Sequence, residues 1–396
     1  MISICSFGNR RAEWSFFSIG FILWLFCRIL LTSNFGYDGG AVFKILNIGL
    51  YGGLFLCIFS ELFAESITLK SFSLVCVLIL MTLLLLRVGG NDACFMLLLA
   101  FLGRRFRFRN ILLLGVSTTV VAVLVVVGSF SIGIIGQTYE GARSRGSLGF
   151  GWVTFLSHYF LMISIGYTVL RGEGIKRVEL LALLIIDCVI YSFTGARNSF
   201  VLGLLFLSVV FIAKLANHWR AGKIACFISA SVFPICAVIS WILYMKINPY
   251  TVFGMSLNSL FSGRIALSQQ ALSLYGINLF GNAVQWVTQS SIRSGLYSLS
   301  QYLYVDCSYL NFLINFGLLV FIVLIMALSI VSFQVVNHGG FILGIAFAIF
   351  AVHGIVDPQL LDLHYCTFLF LLGGVLDSNA SWDARLFGLV PKSQKT

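Results

Sequence analysis

The chain has 396 residues, of which 59% are hydrophobic and only 10% charged, with four prolines and a mean hydropathy of +1.01. A soluble domain carries roughly 25% charged residues and does not repeat apolar runs of about twenty, so composition excludes a soluble enzyme and predicts a polytopic membrane protein. The net charge of +11 implies no nucleic-acid partner, because Lys and Arg gather on cytoplasmic loops of membrane proteins whatever their function.

The first apolar run, 14–32, follows Arg10 and Arg11 and ends in polar "LTSNFGYDGG" without a small-residue cleavage site, so it reads as a first span and not as a signal peptide. Further runs lie near 41–62, 70–87, 92–103, 111–135, 151–170, 178–195, 198–214, 224–245, 307–331, 340–356 and 365–376. The expected fold is a single all-α transmembrane domain over 1–396 with about twelve transmembrane helices. The fourth and twelfth runs are shorter than the ~17 residues a perpendicular helix needs. A re-entrant fourth run would invert everything after it, and charge arbitrates. With the N-terminus inside and all runs crossing, the inner loops hold sixteen of the 25 basic residues, as the distribution of Lys and Arg demands. Both termini are then expected to be cytoplasmic.

The outer side receives the loop 136–150, with "GQTYEGARSRGSLGF", and a long segment over about 246–306 between the ninth and tenth spans. Within the latter, "NSLFSGRIALSQQALSLYG" places Phe261, Ile265, Leu272 and Tyr275 at helical spacing. That pattern predicts an amphipathic helix lying in the plane of the outer interface, or equally a loop helix packed on the bundle. Ten cysteines sit mostly in apolar runs with no Cys-x-x-Cys pair, which is the usage of small packing residues.

The remaining basic residues face outward: Arg28, Lys44, Arg87, Arg143, Arg145, Arg197, Lys246, Arg264 and Arg293. Arg28 and Lys44, near span ends, are expected to snorkel to water. Arg197 stands in the tight "TGARN" connection, where an unpaired charge costs roughly 2.5–3.5 kcal/mol at membrane depth. A structural ion pair or an anionic ligand answers that cost, and the planar fork of arginine suits a phosphate. Arg143 and Arg145 alternate in a glycine-containing loop whose backbone can approach a ligand.

Asp306 opens the tenth span, with Ser308, Asn311 and Asn315 on one helix face. It is a candidate helix N-cap and also a candidate proton acceptor. Near the C-terminus, "HGIVDPQLLDLHYC" brings His353, Asp357, Asp362 and His364 to one short outer loop. The His-x3-Asp pair has no third partner at helical spacing, so no metal and no other cofactor is expected.

Four features occur in order: "TGARNSFVLGLL", then "SGR" and "YGINLFG" in the long outer segment, then "VDCSYLNFLINFG" opening the next span, then a short outer loop and a final span. In this the chain resembles the bacterial oligosaccharide repeat-unit polymerases of capsular polysaccharide and O-antigen, which belong with the O-antigen ligases to one superfamily of membrane glycosyltransferases. Thr194, Gly195, Ala196 and Arg197 match a Ser/Thr-Gly-Ser/Ala-Arg element of the family. Gly263, Arg264, Phe280 and Gly281 match its Gly-Arg and Phe-Gly elements. Asp306 and Cys307 stand where the ligase branch has His-Asn. An Arg-x10-Gly pattern of many polymerases is absent, since Arg264 is followed by Gly276, one residue too far.

The resemblance implies a GT-C-like membrane fold and a metal-independent transfer from a polyprenyl-diphosphate-linked oligosaccharide on the outer face of a bacterial cytoplasmic membrane. It implies that Arg197 and Arg264 grip the diphosphate and that Asp306 deprotonates the acceptor hydroxyl. Arg143, Arg145, Tyr309, His353 and Asp357 are the expected substrate contacts, with a chain-length regulator and a flippase of the same pathway as partners beside the lipid bilayer. The competing expectation is a transporter or flippase of lipid-linked oligosaccharides. Such a protein is expected to carry charges deep in several spans and repeated halves, and neither pattern is present.

Overall fold

The structure, a computed structural model, describes residues 9–36, 40–63, 69–140, 145–216, 223–246, 257–288, 291–292, 295–338, 340–376, 382 and 386. Arg143 and Arg293 lie outside them. Apolar runs fold as helices because backbone N–H and C=O groups in lipid find no partner except one another. In chain order these are α1 (Arg10–Leu31), α2 (Ala41–Ser60), α3 (Leu69–Arg87), α4 (Asn91–Leu102) and α5 (Phe108–Ser131). A two-residue antiparallel pair follows, β1 (Tyr139–Glu140) with β2 (Arg145–Gly146). Then come α6 (Phe155–Arg171), α7 (Arg177–Thr194), α8 (Arg197–Leu215), α9 (Lys223–Trp241), α10 (Leu257–Leu260), α11 (Arg264–Tyr275), α12 (Ser308–Asn337), α13 (Phe341–Val356) and α14 (Leu372–Leu376).

Among the described residues, six helical stretches are long and apolar enough to cross a membrane: Arg10–Leu31, Ala41–Phe63, Phe108–Ser131, Arg197–Leu215, Ile224–Lys246 and Ser308–Asn337. Phe341–Val356 is a shorter apolar helix. The outward faces are apolar as well, with Ile48, Leu124, Ile224 and Phe227 all largely exposed, which is the surface a lipid environment requires and water penalises. Helices α1 and α2 approach closely through glycines: a Cβ on Gly20 would stand 2.6 Å from the Gly53 carbonyl oxygen. Small residues at such a contact bring backbones together where no hydrophobic force acts between helices.

The twelve apolar runs are not all single long helices. The twelfth becomes a 3-10 stretch, Thr367–Leu371, running into the five-residue α14, buried at the centre of the bundle. Phe370 stacks edge-on against Phe21 of α1 at 5.0 Å. The fourth run, twelve residues long as α4, nevertheless traverses the bundle. At its start Asp92 pairs with Arg28 near the end of α1, at 2.5 Å. Just past its end Arg105 pairs with Glu13 at the start of α1, at 3.5 Å, and Arg104 with Glu61 at 2.5 Å. Two ion pairs at opposite ends thus lay α4 antiparallel along α1. The fifteen-residue separation of Glu13 and Arg28 on α1 spans about 22 Å at 1.5 Å per residue; α4 and the 3-10 turn after it cover the same distance.

The segment between α11 and α12 docks on a break in α12. Gly317 leaves helical geometry there, with φ 82°, so the N–H groups of Leu318 and Leu319 lose their helical acceptors. The carbonyls of Asn278 and Leu279 accept them instead, at 3.0 and 3.2 Å, and Asn282 N donates to Asn315 O at 3.0 Å. Gly281 (φ 82°) lies against Asn315 and Gly317 so closely that a Cβ would overlap backbone. That is the physical role of the Phe280-Gly281 element.

Helix α11 starts at Arg264, because Ser262 (φ 54°) and Gly263 (φ 83°) turn the chain through left-handed conformations. Phe261 therefore lies before the helix. The buried face is Ile265, Ser268 and Ala271, three apart, and Gln269 Nε2 donates to the Tyr244 carbonyl at 3.0 Å. The segment is a helix packed on the end of the bundle.

Candidate functional site

The residues assigned from sequence to outer loops converge at one end of the bundle. They enclose a cavity of about 520 Å³ lined by the end of α1 (Arg28, Thr32), Arg145, the approach to α6 (Trp152, Thr154, Phe155), Arg264, Tyr302, Tyr304, Asp306 and the loop after α13 (Asp357, Gln359, Asp362, His364, Tyr365). Loops held by a helical frame are where binding groups are expected.

Arg264 is fixed from two sides. Its Nε donates to Asp306 Oδ2 at 2.7 Å and its Nη1 to the Val356 carbonyl at 2.7 Å. Burial works against its charge, but Asp306 and then Asp357 outweigh that and raise its pKa. The guanidinium stays charged and aimed, with the rest of its five donors not used by these two bonds. Asp306 is not a helix cap: the N-cap of α12 is Cys307 and no side chain caps it.

Arg28, expected only to snorkel, lines the cavity and pairs with Asp92 at 2.5 Å. Asp362, passed over in the sequence as one acid among several, lines it too. Burial, helped by Asp92 and opposed by Arg28, pushes the Asp362 carboxyl up to about 7.

Arg197 behaves otherwise than expected. It starts α8 with an exposed side chain and is not among the cavity-lining residues. The "TGA" before it reaches the cavity indirectly. Gly195 takes φ 59°, and a Cβ there would stand 2.8 Å from Arg145 Cδ, so the glycine seats the Arg145 side chain. Thr194 Oγ1 shares a hydrogen bond with Ser157 Oγ of α6 at 2.9 Å. The motif thus places a different arginine from the one it contains.

Of the other expected contacts, Asp357 lines the cavity, whereas Tyr309 and His353 do not. Tyr309 is buried and its hydroxyl donates to the Ala351 carbonyl at 2.8 Å, tying α12 to α13. The polar face of α12 is likewise structural: Ser308 Oγ donates to the Asp357 carbonyl at 2.5 Å, Asn311 Nδ2 to Val305 O at 3.0 Å, and Asn315 Nδ2 to Asn311 Oδ1 at 2.9 Å. His353 packs edge-on against His158 of α6, with ring centroids 4.7 Å apart. His158 Nε2 in turn lies 2.9 Å from Asp357 Oδ2. The third partner that the His-x3-Asp pair lacked in sequence is therefore His158, from a span about two hundred residues earlier in the chain. Its only sequence signal was a histidine inside an apolar run.

No known protein family, curated protein or solved structure matches the chain.

Proposed function

We propose that this protein is a polymerase of surface polysaccharide, joining polyprenyl-diphosphate-linked oligosaccharide repeat units at the outer face of a bacterial cytoplasmic membrane. On this reading the apolar runs make twelve crossings, both termini are cytoplasmic, and the cavity end faces outward. The observation that carries it is the cavity itself. Three arginines, Arg28, Arg145 and Arg264, line it together with the carboxylates Asp306, Asp357 and Asp362, at the end of an apolar bundle. A lipid-linked sugar diphosphate brings a polyprenyl tail for the bilayer, phosphates for the arginines and hydroxyls for the acids.

The chemistry is a single displacement. An acceptor hydroxyl loses its proton to a carboxylate, and its oxygen bonds to the anomeric carbon of the donor. The bond from that carbon to the diphosphate oxygen breaks, and the electron pair leaves on the diphosphate. Arg264, already ordered by Asp306, stabilises the developing charge. Diphosphate binding competes with Asp306 for the guanidinium, so the carboxylate is released to accept the proton when the donor is in place. The diphosphate is a good leaving group, so this step requires no nucleotide.

The test compares surface glycan and lipid-linked intermediates from cells with and without the gene. Loss of polymer with accumulation of single lipid-linked repeats at the outer face is the expected result. Accumulation at the inner face assigns the protein to transport instead.

A further inference from the structure

We infer that His158, His353 and Asp357 form a binding site for one divalent transition-metal ion, with zinc the ion that best fits the donors. Each offers one nitrogen or oxygen, and these atoms all lie within 4.8 Å of one another. They come from three places, the first turn of α6, the last turn of α13 and the residue just after it, so their convergence is a product of the fold and not of local sequence. All three are buried, at 2%, 4% and 6% exposure.

The hydrogen bond between His158 and Asp357 accounts for only part of the cluster. His353 Nε2, His158 Nδ1 and Asp357 Oδ1 are buried with no hydrogen-bond partner among the described residues. Buried polar atoms are almost always satisfied, and several orphans at one place point to an ion or water. Two imidazoles and one carboxylate select against calcium and magnesium, which take oxygen ligands, and suit zinc and its neighbours.

Zinc bonds of about 2.0–2.2 Å put tetrahedral ligand atoms roughly 3.3–3.6 Å apart. His158 Nε2 and Asp357 Oδ2, at 2.9 Å, stand slightly closer than that, and all three ligand atoms lie within 4.8 Å of one another, so side-chain rotation makes the remaining adjustment. Asp357 supplies the negative charge, while the nearby Arg264 is offset by Asp306. Asp357 also borders the cavity, which gives the ion a way in. The bound ion would lock α6 to α13 and hold the loop that floors the cavity. This inference does not depend on the polymerase reading, because ion content is measured without any glycan.

The full-length protein, purified in detergent with a tag free of histidine, is analysed for metals. About one equivalent of zinc or a neighbouring transition metal per chain is expected, since a buried preformed site binds tightly. After chelation, added zinc should raise Tm by several degrees, and added cobalt(II) should give the visible bands of a tetrahedral site. His353→Gln, which keeps polarity and approximate size, should lose the metal and the zinc-dependent rise in Tm. If that variant does not fold, the cobalt spectrum and chelation response of the native protein decide the question alone. Less than about a tenth of an equivalent, with no cobalt bands and no response to zinc, overturns the inference and leaves the cluster to water.

Discussion

Arg264 and Asp306, 42 residues apart in sequence, are joined by a 2.7 Å hydrogen bond from Nε to Oδ2, and the Val356 carbonyl holds Nη1 of the same arginine. The start of α11, the approach to α12 and the end of α13 thus meet at one guanidinium. Its orientation depends on directional donors, which a lysine ammonium does not reproduce. Arg264→Ala should abolish polymer while the protein still accumulates in the membrane, and Arg264→Lys should recover little. Polymer yield at matched protein level checks this. Full activity of the alanine variant removes Arg264 from the site.

Much of this architecture was legible in the sequence, and the part that was not has a physical reason. Apolar runs gave the helices because lipid enforces backbone pairing within a segment. The convergence of Arg264 and Asp306 at one cavity also followed from assigning both to the same face. What stayed hidden were relations across space. Arg28 looked like an ordinary snorkelling residue until α4 brought Asp92 beside it. His158 had no neighbour in sequence to mark it. Arg197 drew attention as the charged residue of its motif, although it is Gly195 that touches the cavity wall through Arg145.

That contact is testable by non-additivity. Gly195→Ala forces a Cβ into the Arg145 stem at a backbone position, φ 59°, that alanine resists. The variant should lose about 1 kcal/mol or more of stability and much of its polymer. On an Arg145→Ala background the same change should reduce polymer much less, because the displaced group is already gone. Additive losses in the two backgrounds would show that Gly195 acts through the backbone alone.

Asp362 makes stability depend on pH. Burial raises its folded pKa to about 7 from an unfolded value near 3.8, so between these values the folded protein binds the proton that the unfolded chain releases. The stabilisation is fully present below pH ~4 and is lost as pH rises toward about 7. Asp362→Asn removes this dependence, and thermal unfolding in detergent should show a larger gain in Tm at pH 8 than at pH 5. Equal gains at both values would mean that the carboxyl is solvated and titrates normally.

The orientation of the bundle is open to labelling. On a cysteine-free background, a cysteine at Gly276 should react with an impermeant reagent added outside cells, and one at Arg107 should not. The ion pairs that run α4 the length of α1 put Arg28, which lines the cavity, at the end opposite Arg105. Outside reaction at Arg107 would put the cavity on the cytoplasmic side and end the assignment to surface polysaccharide.

The role of Asp306 separates into two parts that substitutions can distinguish. As the partner of Arg264 it needs only an acceptor oxygen, which asparagine retains. As the proton acceptor it needs a carboxylate, because an amide does not take the proton. Helix capping does not enter, since Cys307 occupies that position. Asp306→Asn should therefore leave stability and Arg264 geometry close to native yet lower turnover by about 10²–10⁴-fold. Asp306→Ala should lose both turnover and the alignment of Arg264. Asp306→His restores a base and should regain part of the activity. Polymer yield and donor-lipid consumption in the three variants, at matched expression, give the answer. A fully active asparagine variant would confine Asp306 to orienting Arg264 and pass the proton to another carboxylate of the cavity, Asp362.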